Sequence, residues 1–201
     1  MEDQILKIFN EHVAVATRAA GNLTGDVKKI CTYCIIHPWA GGLKKEIKQW
    51  DNKNWVSLVG KMANDFDNFL ITGAPSDVLD SAELFRLIQK TKYASKVFDI
   101  AGFFSLSETV DIINNAKAVV CVDTGISHIA AALDKPLVCL QGPADSRRWR
   151  PYNDNDHTIV INPQNGVYGY LNYGYEYYKA KGNCMDNILV EVVYQALKKI
   201  V

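Results

Sequence analysis

The sequence predicts an α/β domain: a Rossmann-like, doubly wound parallel sheet with helices on both faces. Three observations predict it. Short runs such as Ala118–Val122 and Leu137–Leu140 are apolar at every position, the pattern of strands buried on both faces. They alternate with longer segments in which apolar residues recur at helical spacing. Glycine, proline or aspartate punctuates the ends of most of these runs.

Residues 1–22 read as a helix, with Ile5, Leu6, Phe9, Val13 and Ala16 or Ala20 near one face, and Gly21–Asp26 breaks it. This sets a helical and linker segment over residues 1–25 ahead of a Rossmann-like domain over residues 26–201. Residues 31–37 form an apolar strand halted by Pro38. Residues 52–63 carry Trp55, Leu58, Val59 and Met62 on one helical face. A strand over 68–72 stops at Gly73, a helix covers 80–90, and another strand covers 96–100. Ser105-Leu106-Ser107-Glu108 is a capping box that opens a helix through residue 115. Ala118–Val122 is a strand, 126–133 a helix with Ile126, Ile129, Ala130 and Leu133 facing the core, and Leu137–Leu140 a strand. Thr158–Ile161 is a last edge strand. The final helix pairs apolar residues at 188/189, 192/193, 196/197 and 200/201, a 3.6-residue period.

Composition narrows the function classes. The 201 residues carry 22 basic and 22 acidic side chains, a zero balance that excludes a general trap for nucleic acid. The chain is 48% apolar and 22% charged, the mix of a folded globule rather than a disordered tail. No apolar run approaches the roughly 20 residues of a membrane-spanning helix. Met1-Glu2-Asp3 is acidic where a signal peptide is basic, and five cysteines is an odd number for a disulfide framework. A reducing cytoplasm fits best.

Doubly wound sheets bind ligands outside the carboxyl ends of their strands, near the point where strand order reverses. The strongest segment there is Val122-Asp123-Thr124-Gly125-Ile126-Ser127-His128, which joins a buried strand directly to a helix. Thr124 is placed to cap that helix, and Gly125 allows a ligand close to its free amides, a ready anion site. Asp123, Thr124 and His128 converge on one crevice. Alternatively Asp123 and Thr124 only cap the helix and His128 is interior; spacing alone leaves both open.

A second strand end is His37-Pro38-Trp39-Ala40-Gly41-Gly42, followed by Lys44, Lys45 and Lys48. Glycines beside lysines suit a diphosphate, and so does a plain solvated loop. Asp77, after Gly73, is placed either to accept hydrogen bonds from ribose hydroxyls or to cap a helix. Gln141-Gly142-Pro143 marks a fourth end, followed by Arg147, Arg148 and Arg150, which suit an anion or a basic turn. Tyr168–Tyr178 holds six tyrosines in eleven residues, either a stacking surface or a loop packed by its own rings. Cys31 and Cys34, three apart in a strand, point to opposite faces and do not make a metal pair. Asp154 and Asp156 read as solvated loop, so no metal site is expected.

Taken in order, these segments resemble the C-terminal domain of the glycosyltransferase family 9 heptosyltransferases. The resemblance runs over residues 34–201. It rests on His37-Pro38 with Gly41, Lys48-Gln49-Trp50, Gly73-Ala74, the Ser105–Glu108 box and Asp123-Thr124-Gly125-Ile126-Ser127-His128-Ile129-Ala130-Ala131. Gly142-Pro143 with Arg148-Trp149 and Pro151-Tyr152, then Cys184-Met185 with Ile188, complete it. The resemblance implies the donor half of a two-domain GT-B fold, binding a nucleotide-activated sugar, typically ADP-heptose, for transfer to lipopolysaccharide. It implies that Thr124 and Gly125 hold the diphosphate with Gly41, Gly42 and Lys48, Lys45 being a rival to Lys48. Asp123 and His128 would contact sugar or phosphate, Phe104 would lie beside the base, and Asp77 would stand where the family has a glutamate on the ribose.

The resemblance further implies no metal and no cofactor besides the donor substrate. The acceptor is a glycan or glycolipid, the enzyme is cytoplasmic or peripheral to the inner membrane, and the catalytic base lies in an N-terminal acceptor domain that residues 1–30 do not resemble. The expected function is a heptosyltransferase-like glycosyltransferase. Its alternatives are a non-catalytic nucleotide-sugar module completing another transferase, or a sugar epimerase on the same architecture.

Overall fold

A computed structural model of the chain describes residues 32–42, 45–152, 156–164 and 183–201. The chain divides into two compact units, Met1–Thr32 and Tyr33–Val201. The expected helix over 1–22, the break after it, Cys31, Lys44, Asp154 and the tyrosine-rich segment lie outside the described residues.

Six strands run parallel in the order β3-β2-β1-β4-β5-β6. They are β1 (Tyr33–His37), β2 (Asn68–Ile71), β3 (Val97–Asp99), β4 (Ala118–Val122), β5 (Leu137–Leu140) and β6 (Thr158–Ile161). The helices are α1 (Asn52–Met62), α2 (Val78–Ile88), α3 (Leu106–Asn114), α4 (Gly125–Ala132), the short α5 (Ser146–Trp149) and α6 (Val190–Ile200).

Alternate residues of the strands point to opposite faces, and both faces are buried. Cys34, Ile36, Phe69, Ile71, Val120, Val138 and Leu140 join Trp55, Leu58 and Met62 of α1, Leu84 of α2 and Val193 and Leu197 of α6 in one core. Each such fully buried side chain contributes roughly 1.5–3 kcal/mol over its exposed state. On the other face α4 packs on β4 and β5 and against α3, covering Val119, Cys121, Leu137 and Cys139, all fully buried. Cys34, Cys121, Cys139 and Cys184 are buried and form no disulfide among the described residues, and burial pushes the Cys34 thiol up.

Three details differ from the sequence pattern. The second helix begins at Val78, because a 3-10 turn over Pro75–Asp77 leads straight into it. The last helix begins at Val190, because Ile188 ends a separate 3-10 turn, Cys184–Asn187, and is extended. In α4 the buried residues are Ile126, Ser127, Ala130 and Ala131, with Ile129 and Leu133 half-buried. A serine faces inward there because its hydroxyl donates to the Thr124 carbonyl at 2.7 Å. The capping box forms as the spacing requires: Ser105 N–H donates to Glu108 Oε2 at 2.8 Å, and Glu108 N–H to Ser105 Oγ at 3.3 Å.

Candidate functional site

This strand order reverses between β1 and β4, which makes their carboxyl ends the switch point. Asp123 follows β4 and Gln141 follows β5, each extending its ladder by one bond. Asp123 N–H donates to Leu140 O at 3.1 Å, and Gln141 N–H donates to Ile161 O at 2.9 Å. The two side chains therefore stand side by side, and Gln141 Nε2 donates to Asp123 Oδ2 at 3.4 Å. Burial pushes the Asp123 carboxyl above its usual range, while the nearby His128 imidazole, the Lys48 ammonium and the Gln141 amide oppose that rise. The structure thus brings Asp123, His128 and Lys48 together, on three different segments.

Thr124 occupies the N-cap position of α4 with an extended backbone, but its hydroxyl makes no capping hydrogen bond. The expected cap is therefore present in position and absent in chemistry. A side chain at Gly125 would meet nothing within 4 Å among the described residues, so none of their packing demands glycine there. His128 is exposed, off the buried stripe of the helix. The amino end of α4, with the positive end of its dipole and an exposed Gly125, makes this an anion-accepting corner.

Lys48 belongs to the loop after β1, which is stapled to the far end of the chain. Trp50 Nε1 donates to Ile188 O at 3.1 Å, Asn183 Nδ2 donates to Gln49 O at 3.0 Å, and Trp50 packs edge-on against Trp55. Among the described residues Lys48 forms no ion pair. Lys45 does: its ammonium sits 2.9 Å from Asp80 Oδ2 on α2, which raises its pKa. Gly41 and Gly42 are exposed, and Gly42 has φ +77°, a backbone suited to glycine.

Toward β2 and β3 the polar groups are engaged within the fold. Asp77 is buried and caps its own turn, accepting from Ala74 N–H at 2.9 Å and Ser76 O–H at 3.4 Å. Asp99 accepts from Ser81 O–H at 2.7 Å and Ala101 N–H at 3.1 Å, with its pKa raised by burial. Phe104 is half-buried, just before the N-cap of α3. His37 Nδ1 and Thr72 Oγ1 share a hydrogen bond of 2.9 Å. Burial lowers the His37 pKa to about 4, against the opposing charge of Asp77. In the arginine-rich turn, Arg147 is tied to Asp145 by Nε and Nη2, a pairing that draws the Asp145 carboxyl down to about 2.

Two groups beside the site carry no assignment from sequence: Gln141, treated only as a strand-end marker, and Thr72. The available signal for Gln141 was a lone amide directly after an all-apolar strand. Among the described residues no three His, Cys, Asp or Glu side chains gather where they could hold a metal ion. No helix among them is long and apolar enough to cross a membrane.

Known proteins similar to this chain include several heptosyltransferases. Lipopolysaccharide heptosyltransferase 1 of Salmonella typhimurium is 32% identical over 139 residues, 67% of this chain and 42% of its own length. The solved structure of the E. coli ADP-heptose lipopolysaccharide heptosyltransferase II superposes with a TM-score of 0.69 at 20% identity, covering 95% of this chain and 51% of that one. E. coli heptosyltransferase WaaC, solved with ADP, gives 0.63 at 24% identity, covering 92% and 48%. The chain therefore spans about half the length of the heptosyltransferases it matches, and its fold is that of one half of a GT-B enzyme. Residues 14–168 match the family described as glycosyltransferase family 9 (heptosyltransferase), and the chain belongs to that family.

Proposed function

We propose that residues 33–201 are the donor-binding half of a heptosyltransferase-like enzyme that takes a nucleoside-diphosphate sugar, ADP-heptose first among candidates, for transfer to a lipopolysaccharide acceptor. One observation carries this reading. Asp123, Thr124, Gly125, His128 and Lys48 meet at the switch point with a free cap hydroxyl and open space at Gly125. Diphosphate binds at the amino end of α4 and against Lys48, with Gly41 and Gly42 beside it. His128 and Asp123 lie where the sugar joins the phosphate, and Phe104 lies beside the nucleoside, while Asp77, held by its own turn, is the poorer ribose ligand. Lys45, held by Asp80, is the poorer phosphate ligand.

Transfer breaks the bond between the anomeric carbon and the diphosphate oxygen, and negative charge gathers on the leaving group. The helix dipole and Lys48 are already oriented to stabilise that charge. A hydroxyl of the acceptor glycan forms the new bond to the anomeric carbon and gives its proton to a base of an acceptor domain, and the enzyme works at the cytoplasmic side of the inner membrane. The experiment is calorimetric titration of ADP-, UDP- and GDP-sugars into the purified chain, with and without EDTA. Binding of an ADP-sugar that EDTA leaves unchanged supports the reading. Absence of heat with every nucleotide sugar, or binding that requires Mg²⁺, contradicts it.

A further inference from the structure

Gln141 is completely buried at the carboxyl end of β5, yet its amide is poorly satisfied. Nε2 reaches Asp123 Oδ2 only at 3.4 Å, a long hydrogen bond, and Oε1 is buried with no partner among the described residues. A buried acceptor left unpaired costs stability, and a leucine or methionine of similar volume would avoid that cost. All four residues of β5 are fully buried and apolar. Folding alone gives no reason for an amide at this place; the neighbouring carboxylate does.

We propose that Gln141 is a positioning residue for the donor sugar: its amide N–H pins one oxygen of Asp123 and leaves the other to accept hydrogen bonds from sugar hydroxyls. This rests on the reading that Asp123 meets the donor. Three groups face the Asp123 carboxylate: Lys48 from the loop after β1, His128 from α4 and Gln141 from β5. Cys121 of β4 lies nearby as a fully buried thiol whose pKa burial raises. Lys48 and His128 are charged or titratable and are also placed to meet phosphate. Of the three, the Gln141 amide is the one hydrogen-bonded to the carboxylate among the described residues.

The test is calorimetry on the full chain with two probes, ADP and ADP-heptose, for wild type, Gln141→Leu, Gln141→Met, Asp123→Asn and the Gln141→Leu/Asp123→Asn double variant. Gln141→Leu should melt no lower than wild type, bind ADP within about twofold, and bind ADP-heptose about tenfold more weakly. Gln141→Met should behave the same way. The pH at which ADP-heptose binding falls off should move upward in both, because the carboxylate has lost a donor. The double variant should bind no worse than Asp123→Asn alone, since both changes remove one interaction. Equal loss for ADP and ADP-heptose, additive losses, or a lowered melting temperature with ADP-heptose affinity unchanged would each overturn the proposal. Wild-type protein that binds neither probe would overturn the donor-site reading as well. Wild type that binds both, with Gln141→Leu identical to it, would overturn this inference alone.

Discussion

The two sides of the sheet's carboxyl edge carry similar residues to different ends. Beside β2 and β3, Asp77 accepts from Ala74 N–H and Ser76 O–H of its own turn, and Asp99 Oδ1 accepts from Ser81 O–H of α2 and from Ala101 N–H. Beside β4 and β5, Asp123 has one long hydrogen bond, Thr124 makes no cap bond, and Gln141 Oε1 is unpaired. The glycines cut across that division, since Gly142 follows β5 and Gly125 follows β4. A Cβ on Gly73 would stand 2.9 Å from Trp39 Cδ1, and one on Gly142 would collide with Met185 and stand 3.0 Å from Cys184 Sγ; Gly41 and Gly125 face open space. A polar residue or a glycine at a strand end is thus no evidence of a ligand by itself. What separates the two sides is whether the protein already uses the carboxylate: Asp77 and Asp99 are held by short hydrogen bonds within the fold, and Asp123 is not.

Five variants sharpen or break this contrast. The largest effect belongs to His37, on the engaged side. Its folded pKa of about 4 lies below the ordinary 6.5, so between those values the unfolded chain binds more protons than the folded one. Stability is fully present above pH 6.5 and falls as pH drops toward 4, by roughly 3 kcal/mol if the whole shift is realised. Urea midpoints at pH 7 and pH 4.5 should differ accordingly, and His37→Asn should flatten that slope; an unchanged slope would mean His37 is not the buried neutral group described.

Gly142→Ala comes next. Its methyl has no room against Met185 and Cys184, and overpacking there should cost about 2 kcal/mol, read as a fall in melting temperature. Asp77→Ala removes the buried cap of the Pro75–Asp77 turn and should cost about 1 kcal/mol. Thr124→Ala, at the N-cap of α4, should cost under about 0.5 kcal/mol because no cap bond is lost. Equal destabilisation by the last two would erase the difference between the sides. Gly125→Ala should gain about 0.5 kcal/mol by replacing an exposed helical glycine while weakening ADP binding; a stabilised protein with unaltered binding would show that the open space serves no ligand.

Much of the frame was legible in the chain itself. β4 and β5 fall on the predicted residues because strands buried on both faces leave continuous apolar runs with sharp ends, and the half-buried edge strand β6 falls on its predicted residues too. Trp55, Leu58, Val59 and Met62 face the core of α1 as their spacing requires. The face of α4 was not legible, since small residues give a weak periodic signal and Ser127 is held inward by a bond to Thr124. Nor could local sequence distinguish Lys48 from Lys45. That choice depends on Asp80, which lies on α2 far along the chain. Gln141 was hidden for the same reason: its neighbour Asp123 is set by strand register, not by sequence proximity.

The central claim is that ligand enters on the β4–β5 side of the carboxyl edge. Amide chemical-shift mapping on isotope-labelled chain, titrated with ADP and then ADP-heptose, tests it most directly. The account predicts the largest shifts at Thr124, Gly125, Ile126 and His128, with Lys48 and Gly42 following and further shifts at Asp123 and Gln141 when the sugar is present. The amides of Ala74 and Ala101, whose hydrogens are already held by Asp77 and Asp99, should move much less. Shifts centred on Ala74 and Ala101, with Thr124 and Gly125 unmoved, would contradict it.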